Sequence, residues 1–258
     1  MQLWQLGSLV FFGYVALVAM LPRRMRPARQ AGALAGAALG AGVIGLSRIL
    51  PADGVANVWL LPPGALLIGY WTSGLLFVAP MPRAERMLAA VDAGLRIRQI
   101  AARTPRLVAE ALEFAYAAIY PMIPLALYLA LEQGISANRF WATILLTDYL
   151  CFGMLPWLQT RPPRAVGLDA AWRSRWRAVN LKMLAAGSVQ VNTFPSGHAA
   201  EALACALLLS AGPPLLAGAM FVAAAAIAAG TVFGRYHYAA DAIAGWAVAL
   251  LVWGTLRP

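Results

Sequence analysis

Eight apolar stretches, each meeting or approaching the length of a membrane crossing, follow one another at residues 3–21, 31–50, 58–80, 107–131, 140–158, 197–213, 215–234 and 238–256. A spanning helix needs about 20 apolar residues, so the spacing predicts an all-α, polytopic membrane helix bundle of about eight transmembrane helices. Charge supports this. Of 258 residues only 12% are charged and 62% are hydrophobic, whereas a soluble domain carries about 25% charged residues to wet its surface. Without internal repeats, the chain reads as a single integral membrane domain over 1–258. Residues 1–8 carry no cation and a basic cluster follows the first apolar run. That order suits a first spanning helix rather than a cleavable signal. Pro62-Pro63 and the pair Pro121 and Pro124 predict kinks or local breaks in the third and fourth helices. The Ala/Gly-rich stretch 31–45 predicts close helix packing.

The chain has a net charge of +10, and Lys182 is the one lysine among its 20 cations. The cations sit between apolar runs, which argues for membrane orientation and anionic lipid rather than nucleic acid. With eight spans, seventeen cations fall in 22–30, 81–106, 159–196 and 235–237 on one side, against Arg48, Arg139 and Arg257 on the other. The positive-inside rule makes the first side cytoplasmic and puts both termini outside. Setting aside 159–196 and Arg235 still leaves ten against three. Segment 81–106 places Leu88, Val91 and Leu95 at helical spacing among arginines, which predicts an interfacial helix. Trp172, Arg173, Arg175, Trp176, Arg177 and Lys182 read as a headgroup-anchoring stretch, and Glu110 and Glu113 as interface-facing. Cys151 and Cys205 lie inside apolar runs and form no disulfide framework.

Polar chemistry concentrates around the only two histidines. Asn192-Thr193-Phe194-Pro195-Ser196-Gly197-His198 precedes an apolar helix. Pro195 suits a helix start, and first-turn N–H groups of Ser196, Gly197 and His198 can bind phosphate. Gly197 carries no side chain to keep a phosphate from the backbone, and His198 can protonate a leaving oxygen. Further on, Arg235-Tyr236-His237-Tyr238 leads to Asp241, placing His237 and Asp241 one helical turn apart. A carboxylate there fixes the imidazole tautomer, and Arg235 offers a planar cation to phosphate oxygens. The predicted topology brings both clusters, and the loop Arg161-Pro162-Pro163-Arg164, to one membrane face. Glu201 reads equally as a site contact or as compensation of the helix N-terminus. Asp148 is an intramembrane carboxyl whose partner, such as an Arg or Tyr, the sequence does not identify. No metal-ligand set or cofactor motif is evident.

Pro195-Ser196-Gly197-His198 together with His237 and Asp241 resembles the type 2 phosphatidic acid phosphatase superfamily over roughly 140–256. The form Arg235-Tyr236-His237-Tyr238, with Asp241 and Gly245, is nearer its inositol phosphorylceramide synthase-like and sphingomyelin synthase-like branch. The resemblance implies a phosphatidic acid phosphatase-like catalytic core in the C-terminal half, acting on a lipid phosphate or phospholipid. It implies His237 as nucleophile forming a phosphohistidine, Asp241 as its orienter and His198 as general acid. Ser196 and Gly197 would hold phosphate oxygens, with Arg161, Arg164 and Arg235 replacing two cations of the phosphatase branch. One of those would be an Arg at position 231, which is Thr here; the other would be a Lys six residues before Arg161-Pro162, where this chain is apolar. Residues 1–106 add nothing to the resemblance. The expected location is a bacterial-type inner membrane with a cytoplasmic site, although the resemblance alone implies an outward-facing one. A non-enzymatic carrier of anionic lipid using the same pocket is the alternative.

Overall fold

A computed structural model of the protein describes residues 1–21 and 25–256. Arg23, Arg24 and Arg257, three of the cations counted for orientation, lie outside the described residues. The described residues form eleven α-helices in the order α1 (Leu3–Met20), α2 (Pro27–Ile49), α3 (Leu61–Leu75), α4 (Pro82–Gly94), α5 (Ile97–Arg103), α6 (Arg106–Glu132), α7 (Ala137–Gly153), α8 (Arg175–Gly187), α9 (Gly197–Leu208), α10 (Pro214–Phe233) and α11 (Ala239–Thr255). Every apolar stretch became a helix, and among the described residues no β-strand forms. One isolated antiparallel pairing, Thr160 with Asn192, ties the loop after α7 to the segment entering α9.

Four helices, α1, α2, α6 and α10, are long and apolar enough to cross a membrane. The others fall short for visible reasons. α9 has 12 residues, about 18 Å at the rise of an α-helix, yet every residue from Ala199 to Leu208 is buried. It packs on α6, α7, α10 and α11. A helix apolar all round belongs inside protein, so lipid thickness does not set its length. α7 is buried over much of its surface too, with Phe140 to Leu145 and Thr147 to Tyr149 enclosed and Leu150 exposed. α3 is entered through a π-helical turn, Ala56–Leu60, directly before the Pro62-Pro63 break. Proline at 62 cannot donate to the carbonyl one turn back, and the indole N–H of Trp141 donates to that Val58 oxygen instead, at 2.7 Å. By contrast α6 runs as a single helix through Pro121 and Pro124.

α1, α2 and α3 form an N-terminal layer packed against α7. The phenyl ring of Phe11 stacks on Tyr149 at 4.1 Å, and the Tyr149 hydroxyl meets Ser8 Oγ at 3.1 Å. The expected close packing of 31–45 is present: a Cβ on Gly40 would lie 2.3 Å from the Phe12 ring.

α4 turns only part of the predicted apolar stripe toward the protein. Leu88 is buried, whereas Val91 and Leu95 are exposed. The inward face is Glu85, Leu88 and Asp92: Asp92 pairs with the buried Arg235 and Glu85 with the half-exposed Arg161, while Arg83, Arg86 and the apolar Met87 point outward.

Candidate active site

α9 and α11 cross closely just where their motifs begin. A Cβ on Gly245 would sit 2.5 Å from the Ser196 carbonyl oxygen, and the Ser196 N–H donates to the Asp241 carbonyl at 2.9 Å. Ser196 caps α9 through its side chain, accepting from the Ala199 N–H at 3.4 Å. One expectation is thereby corrected: the Ser196 N–H is already used. Gly197 and His198 supply the first-turn N–H groups that lack intrahelical acceptors. Gly197 also has a packing reason to be glycine, since a Cβ there would lie 2.8 Å from Asp148 Oδ1.

The predicted residues His198, His237, Asp241 and Arg164 come together. The imidazole rings of His198 and His237 lie 6.3 Å apart between centroids. Nδ1 of His237 is 3.4 Å from Asp241 Oδ2, within pairing distance but not aligned as a hydrogen bond. The same carboxylate oxygen accepts the Tyr238 N–H at 2.8 Å. His198 stacks on Tyr116 at 5.0 Å and meets the edge of Tyr120 at 5.8 Å. Tyr116 in turn stacks on Tyr236 at 3.9 Å. Nε2 of His198 is buried without a hydrogen-bond partner, and an orphaned buried nitrogen of this kind suits contact with a substrate.

The three arginines separate. Arg164 donates weakly to the Tyr236 carbonyl at 3.4 Å and lies 5.7 Å from its ring, with no acidic partner among the described residues. Arg161 is turned to Glu85, whose Oε1 accepts from its Nε and N–H at 2.9 Å each and whose Oε2 accepts from Nη2 at 2.8 Å. These bonds hold the Glu85 carboxyl below the usual range. Arg235 is buried and gives Nη1 to Asp92 Oδ2 at 2.6 Å and Nε to the Leu168 carbonyl at 3.0 Å. Its backbone is left-handed, with φ of 62°.

Sequence reasoning missed the supports. Glu113, expected at the interface, is fully buried and accepts from four side chains: Trp172 Nε1 at 2.9 Å, Arg177 Nη1 at 3.0 Å, Asn180 Nδ2 at 2.8 Å and the Tyr236 hydroxyl at 2.5 Å. Arg177 also donates to the Gly234 carbonyl at 2.8 Å and pairs with Asp169. The anchoring stretch is therefore divided: Arg173, Arg175, Trp176 and Lys182 are exposed, while Arg177 is buried and Trp172 turns inward. Glu110 remains at the edge, capping α8 through the Arg175 and Trp176 N–H groups at 2.9 and 3.3 Å. Asp148 neighbours Glu201 across the contact of α7 with α9 rather than a cation or a tyrosine. The one signal available for these supports was the cost of burying a charge, which requires a partner somewhere.

The fold and this cluster define a membrane-type helical protein with a pair of histidines at the N-terminal ends of two apolar helices. The profile of the PAP2 superfamily matches residues 82–255, and the chain belongs to that superfamily, whose members are typically phosphatases or phosphotransferases. The match reaches back to α4, further than the motifs alone indicated, and so includes Glu85, Asp92 and Glu113. Neither a curated protein nor a solved structure matches the chain significantly. Among the described residues no group of three or more His, Cys, Asp or Glu side chains is placed to hold a metal ion.

Proposed function

We propose that the chain is a membrane lipid phosphatase or phosphotransferase working through a phosphohistidine. The observation that carries this reading is the facing pair of imidazoles, 6.3 Å apart, with Asp241 behind one of them. His237 attacks phosphorus through Nε2 as the bond from phosphorus to the leaving oxygen breaks, and His198 gives that oxygen a proton. Water or a lipid hydroxyl then attacks the phosphohistidine, its proton passes to His198, and the phosphorus–nitrogen bond breaks. Asp241 keeps the His237 proton on Nδ1 and the lone pair on Nε2. Arg164 and the N–H groups of Gly197 and His198 surround the phosphate oxygens with positive donors. Ser196 contributes by capping the helix, and the guanidinium groups of Arg161 and Arg235 are divided between any phosphate and the carboxylates of Glu85 and Asp92.

Thr231 and the Arg235-Tyr236-His237-Tyr238 form favour the synthase-like branch, hence a lipid hydroxyl as acceptor. All eight apolar segments cross or enter the bilayer in this reading, with α9 shielded from lipid, in a bacterial-type inner membrane. The test is to quench the purified protein during turnover of phosphatidic acid labelled in its phosphate. Acid-labile label is expected on His237 and absent from His237→Ala. Turnover without label on either histidine would contradict the mechanism.

The cation count supports a cytoplasmic site. Cys151 and Cys205 are buried, so a cysteine introduced at the exposed Ala165 reports sidedness alone. In intact cells, Ala165→Cys is expected to resist an impermeant maleimide and to react after permeabilisation. Labelling before permeabilisation would reverse the orientation.

A further inference from the structure

Asp92 lies outside both histidine motifs, on a helix read from sequence as a surface element, yet only 5% of it is exposed. Its two oxygens hold two points of one corner. Oδ2 accepts from Arg235 Nη1 at 2.6 Å, and Oδ1 accepts from the Ala239 N–H at 2.8 Å. These residues stand two positions before and two positions after His237. The first contact restrains a residue with a left-handed backbone, a conformation non-glycine residues adopt only when their surroundings fix it. The second occupies the first N–H of α11, the helix that carries Asp241, where a carboxylate complements the helix dipole.

We propose that Asp92 is a positioning residue for His237: by bracketing the corner from both sides it sets the imidazole against Asp241 and against the bound phosphate. The proposal rests on His237 acting as the nucleophile. It also gives Arg235 a role different from the one expected, as a strut between Asp92 and the Leu168 carbonyl more than as a free phosphate ligand. Asp92 acts only through Arg235 and Ala239. The same helix pins Arg161 through Glu85, so α4 straps down two of the three arginines expected at the phosphate.

The experiment uses the full chain in detergent micelles, comparing Asp92→Asn, Asp92→Ala, Leu88→Ala and His237→Ala. Leu88 shares the buried face of α4 but has no polar group to bond either motif, so it reports on docking of the helix without the loss of a hydrogen bond. Two readouts are taken per folded molecule, defined by the monodisperse fraction. The first is turnover of phosphatidic acid. The second, which needs no substrate, is the rate at which diethyl pyrocarbonate modifies each of the two histidines, followed by mass spectrometry. For Asp92→Asn, kcat is expected to fall on the order of 100-fold, as for a reacting group misplaced by about 1 Å, with KM within about threefold of wild type. Modification of His237 accelerates several-fold while that of His198 does not change. Leu88→Ala is expected to lower the unfolding temperature and leave both readouts unchanged.

Wild-type kcat and wild-type His237 reactivity in Asp92→Asn, with His237→Ala inactive, would overturn the proposal. So would a kcat loss in Leu88→Ala equal to that in Asp92→Ala. If Asp92→Ala does not fold, the near-isosteric Asp92→Asn decides. If His237→Ala turns over normally, the phosphohistidine reading fails instead, and the modification rates alone decide whether Asp92 orders the corner.

Discussion

Substituting His237 with alanine is expected to lower turnover of a lipid phosphate by about four orders of magnitude or more, the scale on which loss of a covalent nucleophile is felt. His198→Ala should cost roughly 100- to 10,000-fold, and the double variant little more than His237→Ala, because residues acting as one unit are not additive. The leaving group separates the two roles. A nitrophenyl phosphate departs without a proton, so His198→Ala should recover much of its loss on that substrate, whereas His237→Ala should remain inactive on both. Asp241→Asn is expected to approach the His237 loss, since an amide next to Nδ1 no longer fixes the tautomer. Equal recovery of His198→Ala and His237→Ala on the nitrophenyl substrate would remove the distinction between acid and nucleophile. The stability of all three folded variants should stay close to wild type.

The largest effect on stability is expected at Glu113. Its side chain is fully buried beside Arg177, whose own side chain is 6% exposed, and three further side-chain donors converge on it. Glu113→Ala leaves the buried Arg177 with only the exposed Asp169 as counter-charge and removes the acceptor of the other donors, a change that costs about 3–5 kcal/mol. For a chain of this size that corresponds to a fall in Tm on the order of 10 °C, measured by thermal unfolding in detergent. Glu113→Gln should recover only part of this, because its amide N–H₂ must face a donor. Removing both charges with Glu113→Leu and Arg177→Met should be milder than Glu113→Ala, which keeps the buried guanidinium with Asp169 alone to balance it. A Tm for Glu113→Ala within about 2 °C of wild type would mean the network contributes nothing measurable.

The helices and the meeting of the two histidine motifs could be read from residue order, because hydropathy and i, i+4 spacing are local signals. The supports could not. Asp92 and Arg235 lie 143 positions apart, and Glu85 and Arg161 lie 76 apart. Nothing in the vicinity of either arginine announces a carboxylate. Glu113 looked interfacial because it begins an apolar stretch beside Glu110, and only the docking of α8 decides which of the two is enclosed. Val91 and Leu95 mark the apolar stripe of α4, but nothing local announces that the face docked on the protein carries the carboxylates Glu85 and Asp92. The shortness of α9 was hidden for a related reason: a sequence shows that a helix is apolar, not whether lipid or protein surrounds it.

The deep burial of most of α7 bears on what could be cut from this chain or transplanted. α7 lies inside the PAP2-matching region, yet α1 and α3 cover one flank of it, with Phe11 on Tyr149 and Ser8 bonded to the same ring's hydroxyl. The homologous region is therefore not a removable cassette. Excising the first three helices would bare a flank of α7 that carries Trp141, whose indole now caps the broken turn before α3. The fragment would need a substitute for that layer, supplied by lipid, detergent or another polypeptide. In engineering terms, α1–α3 are the housing and the histidine helices are the works, and α7 is bolted to both.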